Sequence, residues 1–188
     1  MRPGGEPECG KHPEDGSASR LVFLVGFMGA GKTSVGRMLS RFLGWDFEDL
    51  DDQVVAREQR SIEEIFRESG EAAFRRAESQ ALGELLARAR NCIIALGGGA
   101  YVQPEIAALI KESGSMVIFL DATVDDLLKR CDQQPVVRPL RRDPEQFRSL
   151  YEARRPHYLR ATLRIETSGK DVEAVSREIA SKLQSRSF

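Results

Sequence analysis

Cysteine is scarce in this chain and badly placed for cross-linking. Its three copies, Cys9, Cys92 and Cys131, are odd in number, widely spaced and never in a C-x-x-C arrangement. That argues against a disulfide framework and a thiolate zinc site, and fits a reducing cytoplasm. Histidine is scarcer still, with two copies. No apolar run exceeds strand length, far short of the ~20 residues of a membrane span, and the N-terminus lacks a secretory hydrophobic segment. No membrane partner is expected. An excess of either charge is also missing: 28 Lys and Arg against 29 Asp and Glu leave a net charge of -1, with no basic surplus pointing to nucleic acid. No internal repeat is visible. The remaining composition, 41% hydrophobic and 30% charged over 188 residues, suits one soluble domain with a real core.

The richest stretch is Gly26-Phe27-Met28-Gly29-Ala30-Gly31-Lys32-Thr33. It follows the apolar run Leu21-Val22-Phe23-Leu24-Val25 and precedes Val35, Met38, Leu39 and Phe42 at helical spacing. The pattern G-x-x-x-x-G-K-[ST] between strand and helix is the phosphate-cradling loop. Glycines let backbone N–H groups turn toward phosphate oxygens, and the helix that follows points its positive end at the same anion. Lys32 can reach the β- and γ-phosphates and the Thr33 hydroxyl can ligate Mg²⁺. The loop announces a nucleoside triphosphate without saying what is done with it.

Around the loop, short apolar strands alternate with helices. Residues 1–19, rich in Pro, Gly and charge and containing His12, read as a disordered tail, with the domain over 20–185. Asp46-Phe47-Glu48-Asp49 reads as a second strand, and Ser61-Ile62-Glu63-Glu64 as a capping box opening a helix that Gly70 stops. A long helix is expected over 71–90, with Phe74, Ala77, Ala81, Leu85 and Ala89 inward. Cys92-Ile93-Ile94-Ala95-Leu96 and Met116-Val117-Ile118-Phe119-Leu120 are buried strands. Thr123 or Asp121 caps the next helix. The polar, arginine-rich segment 131–143 is read as a lid. Pro144 opens a helix with Phe147, Leu150, Tyr151 and Arg154 on one face, which Pro156 ends or kinks. A strand over 162–166 and a helix carrying Val172, Val175, Ile179 and Leu183 complete the chain. The alternation predicts a parallel sheet covered on both faces, with ligands outside the carboxyl ends of its strands.

Several residues at those ends are candidates for chemistry. Asp49 and Asp51 fit either metal binding and hydroxyl activation or a solvated helix start. Arg75 is flanked by Glu71 and Glu78 at helical spacing, which favours surface pairing over a ligand. Gly97-Gly98-Gly99 exceeds what a tight turn requires and favours a close-approaching ligand. Arg138, Arg141 and Arg142 fit either a γ-phosphate contact from a lid or a solvated basic loop. Arg154, in register with an apolar face, needs an anion, from either a structural or a substrate carboxylate.

In order along the chain, Gly26-x-x-Gly29-x-Gly31-Lys32-Thr33-Ser34, Asp49-Leu50-Asp51, Gly70-Glu71-x-x-Phe74-Arg75, Gly97-Gly98-Gly99-Ala100, Arg138-Pro139-Leu140 and Arg154-x-Pro156-x-Tyr158 resemble the shikimate kinases. The resemblance implies a P-loop fold of the nucleoside-monophosphate-kinase type, a three-layer α/β/α with a five-stranded parallel sheet in the order 2-3-1-4-5 and a lid. It implies transfer of the γ-phosphoryl of ATP, with Mg²⁺, to the 3-hydroxyl of shikimate in aromatic amino-acid biosynthesis, by a cytoplasmic enzyme that is usually monomeric. By motif, Gly29, Ala30, Gly31, Lys32, Thr33, Ser34, Arg130 and Arg138 would bind nucleotide. Thr33 would ligate the metal, with Asp49 acting through water. Asp51 would take the hydroxyl proton, Arg75 and Arg154 would grip the carboxylate, and Gly97, Gly98 and Gly99 would line the pocket. Lys32, Asp51 and Arg138 would be the catalytic set. Three departures stand out: Arg141 in place of a leucine, a lid one residue longer than is common, and Glu58-Gln59 where Thr-Gly is common, expected to extend a helix. A kinase of another small alcohol, such as gluconate, is the alternative enzyme, and a regulatory nucleotide-binding module the alternative of another class.

Overall fold

A computed structural model describes residues 20–133 and 143–185. The tail and the greater part of the expected lid, with Arg138, Arg141 and Arg142, lie outside them.

Strands β1 (Leu21–Val25), β2 (Asp46–Asp49), β3 (Cys92–Ala95), β4 (Met116–Asp121) and β5 (Leu163–Glu166) form one parallel sheet in the order β2-β3-β1-β4-β5, the order the resemblance implied. The three inner strands are buried along their whole length. They read as unbroken apolar runs because helices cover both faces. The edge strands β2 and β5 carry charge and stay partly exposed. The register aligns Leu24 with Ala95 and Ala95 with Asp49. The segments that follow, from Gly26, Gly97 and Leu50, therefore emerge along one rim.

Helix α1 (Lys32–Leu43) buries Val35 and Leu39 and packs on α7 (Val172–Gln184). Asp49 caps α2 (Leu50–Glu58) by accepting from the Asp51 N–H at 3.1 Å. The expected extension at Glu58-Gln59 does not occur. The helix ends at Glu58, and Gln59 takes a left-handed conformation with φ 53°, the geometry in which glycine is ordinarily preferred. The capping box of Ser61 and Glu64 is formed at the start of α3 (Ile62–Arg88), and Gly70, at φ 76° and ψ 174°, breaks that helix where the sequence placed its stop.

Pro104 opens α4 (Pro104–Glu112). Thr123, rather than Asp121, caps α5 (Val124–Asp132) by accepting from the Asp126 N–H. This helix takes in Cys131 and Asp132, which the sequence reading assigned to the lid. Cys131 is apolar enough to be buried at 4% exposure, and its turn continues the face of Leu127. Helix α6 (Pro144–Tyr158) runs through Pro156 instead of stopping there. The core joins both faces of β1, β3 and β4 to α1, α3, α6 and α7. Among the described residues no helix is long and apolar enough to cross a membrane.

Candidate active site

The loop between β1 and α1 is closed by its own lysine. Lys32 Nζ donates to the carbonyls of Gly26 and Phe27 at 2.9 and 3.0 Å. Gly29 sits at φ 78° with its Cα against α5: an added Cβ would come within 2.9 Å of both Cys131 Sγ and the Leu127 carbonyl. Glycine is therefore required there twice over, for conformation and for space. Ala30 is buried under the loop, while Ser34 is exposed in the first turn of α1. The N–H groups of that first turn have no partner within the helix, so the loop and helix start form an anion cradle.

At the base of the cradle the Thr33 hydroxyl donates to Asp49 Oδ2 at 2.8 Å, linking α1 to the end of β2. A hydroxyl and a carboxylate beside a phosphate site are hard oxygen donors of the kind Mg²⁺ takes alongside phosphate oxygens and water. No cluster of three or more His, Cys, Asp or Glu that could hold a metal by protein ligands alone occurs among the described residues. The donor set fits Mg²⁺ carried in with a nucleotide.

A second group of side chains converges on the triple glycine. A Cβ on Gly97 would lie 2.7 Å from Asp51 Oδ1. One on Gly99 would lie 3.0 Å from Arg75 Nη2 and 3.4 Å from Arg154 Nη2, and one on Gly98 3.8 Å from Arg154 Nη1. Asp51, Arg75 and Arg154 thus meet around three residues without side chains. Arg75 makes both helical pairs that the sequence suggested, to Glu71 at 3.0 Å and to Glu78 at 2.5 Å. Yet it is no surface pair: its side chain is 19% exposed and that of Glu78 is 1% exposed. Burial pushes the Glu78 carboxyl up despite Arg75, with the charges of Asp51 and Glu71 adding to the push. Arg154 is half-buried, lies over the Phe27 ring at 5.9 Å, and has no carboxylate partner among the described residues. Of the two anions open to it from sequence, the structural one is not found among the described residues.

Glu78 and Tyr158 were undervalued in the sequence. Glu78 falls on the inward face with Phe74, Ala77 and Ala81, which was the available signal. Tyr158 is fully buried and its hydroxyl donates to the Gly98 carbonyl, fixing the glycine turn to the end of α6. Burial raises that hydroxyl to about 12, with Arg154 opposing, so it stays protonated and donating. Arg130 stands apart from this group: it donates to the hydroxyl and the carbonyl of the buried Thr167 at 3.1 and 2.6 Å. Arg138 lies outside the described residues.

The shikimate kinase family model matches residues 28–184. The chain belongs to the shikimate kinase family. A shikimate kinase of Geobacter metallireducens is 40% identical over 173 residues, covering 90% of this chain and 95% of that protein. One from Thermus thermophilus is 41% identical over 166 residues, covering 87% and 89%. Among solved structures, shikimate kinase from Acinetobacter baumannii in complex with shikimate has a TM-score of 0.80 at 32% identity, covering 89% of this chain and 94% of that one. The Aquifex aeolicus shikimate kinase has a TM-score of 0.78 at 35% identity, covering 87% and 96%. Family membership brings the activity, ATP- and Mg²⁺-dependent phosphorylation of shikimate, and the aromatic biosynthetic pathway it serves. Neither the family model nor these relatives point to gluconate.

Proposed function

We propose that this chain phosphorylates the 3-hydroxyl of shikimate by aligning two charged groups of residues across the rim of its sheet. The observation that carries the reading is the meeting of Asp51, Arg75 and Arg154 at the triple glycine, next to the phosphate loop. The loop and Lys32 hold the β- and γ-phosphates, and Arg138 joins them by its motif. Thr33 would hold Mg²⁺, with Asp49 acting through water, and the ion bound with ATP would offset charge on the phosphate oxygens. Arg75 and Arg154 grip the shikimate carboxylate in the forked geometry a guanidinium offers. Gly97, Gly98 and Gly99 let the ring approach the backbone.

With both ends held, the 3-oxygen faces the γ-phosphorus. A bond forms between them as the bond from that phosphorus to the bridging oxygen breaks, and the bridging oxygen leaves with ADP and the electron pair. The hydroxyl proton passes to Asp51. Arrangement and charge neutralisation carry this chemistry, and both are supplied by fixed side chains. We further place the reaction in the cytoplasm with a monomeric enzyme. The buried thiol of Cys92 suits a reducing compartment, and sedimentation velocity at micromolar concentration tests the monomer.

The direct test is ADP release by purified protein with Mg·ATP and shikimate, with gluconate, or with no acceptor. ADP with shikimate alone is the expected result. ADP with gluconate would overturn the acceptor, and ADP without any acceptor would indicate an ATPase. Nucleotide binding without ADP under any condition would favour a regulatory module.

A further inference from the structure

Asp121, at the end of β4, is 2% exposed, and among the described residues its carboxylate bonds to Tyr151, Arg155 and Arg164, none of which is assigned above to phosphate or acceptor. Its Oδ2 accepts from Arg155 Nη2 at 2.9 Å and from Arg164 Nε at 2.7 Å, and its Oδ1 from the Tyr151 hydroxyl at 3.2 Å. Arg155 Nε in turn donates to the Tyr151 oxygen at 3.1 Å, and that hydroxyl also lies 3.1 Å from the Ala122 carbonyl. One buried carboxylate therefore gathers two guanidinium groups and a phenol, from α6 and from the edge strand β5. Hydrogen bonds between charged partners are the strong and directional kind.

Depth and rotation of α6 are set separately. Phe147 and Tyr151 pack edge-on against Phe27 of the phosphate loop, with ring centroids 4.9 and 5.5 Å away, and so hold the helix to that loop. Such apolar contact is non-directional and tolerates a turn of the helix about its axis. The grip of Asp121 on Tyr151 and Arg155, one turn apart, does not. Arg154 is the neighbour of Arg155, about 100° further round the same axis, and it is the residue aimed at Gly98 and Gly99.

We propose that Asp121 is a positioning residue for acceptor recognition: by clamping Arg155 and Tyr151 it fixes the rotation of α6 and hence the aim of Arg154 at the acceptor carboxylate. The proposal rests on the assignment of Arg154 made above. It differs from general support because the other branch from Asp121 is made by its backbone. The Asp121 carbonyl accepts from the Thr167 N–H at 2.8 Å and hydroxyl at 3.0 Å, and Thr167 carries Arg130. Changing the side chain alone leaves that branch in place.

Steady-state kinetics of the full chain with Mg·ATP and shikimate test it. Asp121→Asn keeps the shape and removes the charge. It should raise KM for shikimate roughly tenfold, the scale of a small misplacement of a binding group, with kcat and KM for ATP within about twofold. In an Arg154→Ala background the same substitution should add nothing, since the two act as one unit. A similar rise in both KM values, a fall in kcat alone, or an undiminished effect in the Arg154→Ala background would overturn the proposal. If circular dichroism shows that Asp121→Asn does not fold, Tyr151→Phe removes one arm of the clamp and keeps the ring on Phe27; it carries the same pattern at roughly threefold. Arg154→Ala alone separates the two levels. If it leaves KM for shikimate unchanged, the assignment of Arg154 falls and the proposal with it. If it raises KM while neither clamp variant does, the proposal alone falls.

Discussion

The phosphate loop takes its residues from one continuous stretch, 26–34, whereas the proposed acceptor corner takes Asp51 from α2, Arg75 from α3, three glycines from the turn after β3 and Arg154 from α6. The loop is shaped by backbone dihedrals and closed by its own lysine. The corner exists only because a parallel register and several helix packings bring distant residues within a few ångströms. A change in the loop should therefore act on chemistry with little effect on the fold. A change in the corner should act on one ligand, and often on stability as well.

The largest test of that contrast is Lys32→Ala. It should lower kcat by about 10³-fold or more, as loss of a charge aimed at the transferred group does, and shift Tm by no more than about 2–4 °C. Stopped-flow or coupled ADP release together with a melting curve checks both. A collapse in Tm would mean that the Lys32 bonds to Gly26 and Phe27 hold the fold, and the contrast would break.

Next in size is Arg154→Ala. Loss of a charged contact to a bound carboxylate costs about 2–5 kcal/mol, so KM for shikimate should rise steeply while nucleotide affinity, read by calorimetry, stays close to the parent's. Equal losses for both ligands would make Arg154 a structural residue.

Gly97→Ala puts a methyl group 2.7 Å from Asp51 Oδ1, so the carboxylate or the turn has to move. A cost of about 1–3 kcal/mol is expected for such overpacking, divided between kcat and stability. Unaltered turnover would show that Asp51 is not held where the glycine turn requires it. Tyr158→Phe should have a smaller effect, about 1 kcal/mol of stability, from a Gly98 carbonyl left without its donor. Urea unfolding measures it.

The smallest effect concerns pH. The Glu78 carboxyl is raised above its ordinary 4.5, chiefly by burial. Folding therefore favours its protonated form. The stability it contributes is complete below pH 4.5 and is lost as pH rises through the raised folded value. Glu78→Gln should flatten the unfolding free energy over that window, and parallel curves for variant and parent would remove Glu78 from the account.

What was legible in the sequence was what local forces decide. The phosphate loop, the apolar strands and the capping box at Ser61 need only neighbours in the chain, and the stop at Gly70 follows from one residue's dihedral freedom. Local rules missed two helix ends: Gln59 takes a glycine's conformation instead of lengthening α2, and Cys131 is buried in α5 beside Gly29. Spacing made Arg75 a surface partner of Glu71 and Glu78. The pairs do form, but Glu78 is buried and Arg75 faces Gly99, because α3 lies against the turn after β3. Asp121 read as a possible helix cap, and only the meeting of β4, β5 and α6 makes it a clamp. Sequence by itself determined the glycine loop between β1 and α1 and the order of elements, since short-range hydrogen bonding and hydrophobic period are written in adjacent residues. Tertiary structure alone decided which charges on different elements share a partner, as Arg155 and Arg164 share Asp121, since that depends on register and helix rotation, to which no contiguous stretch of chain has access.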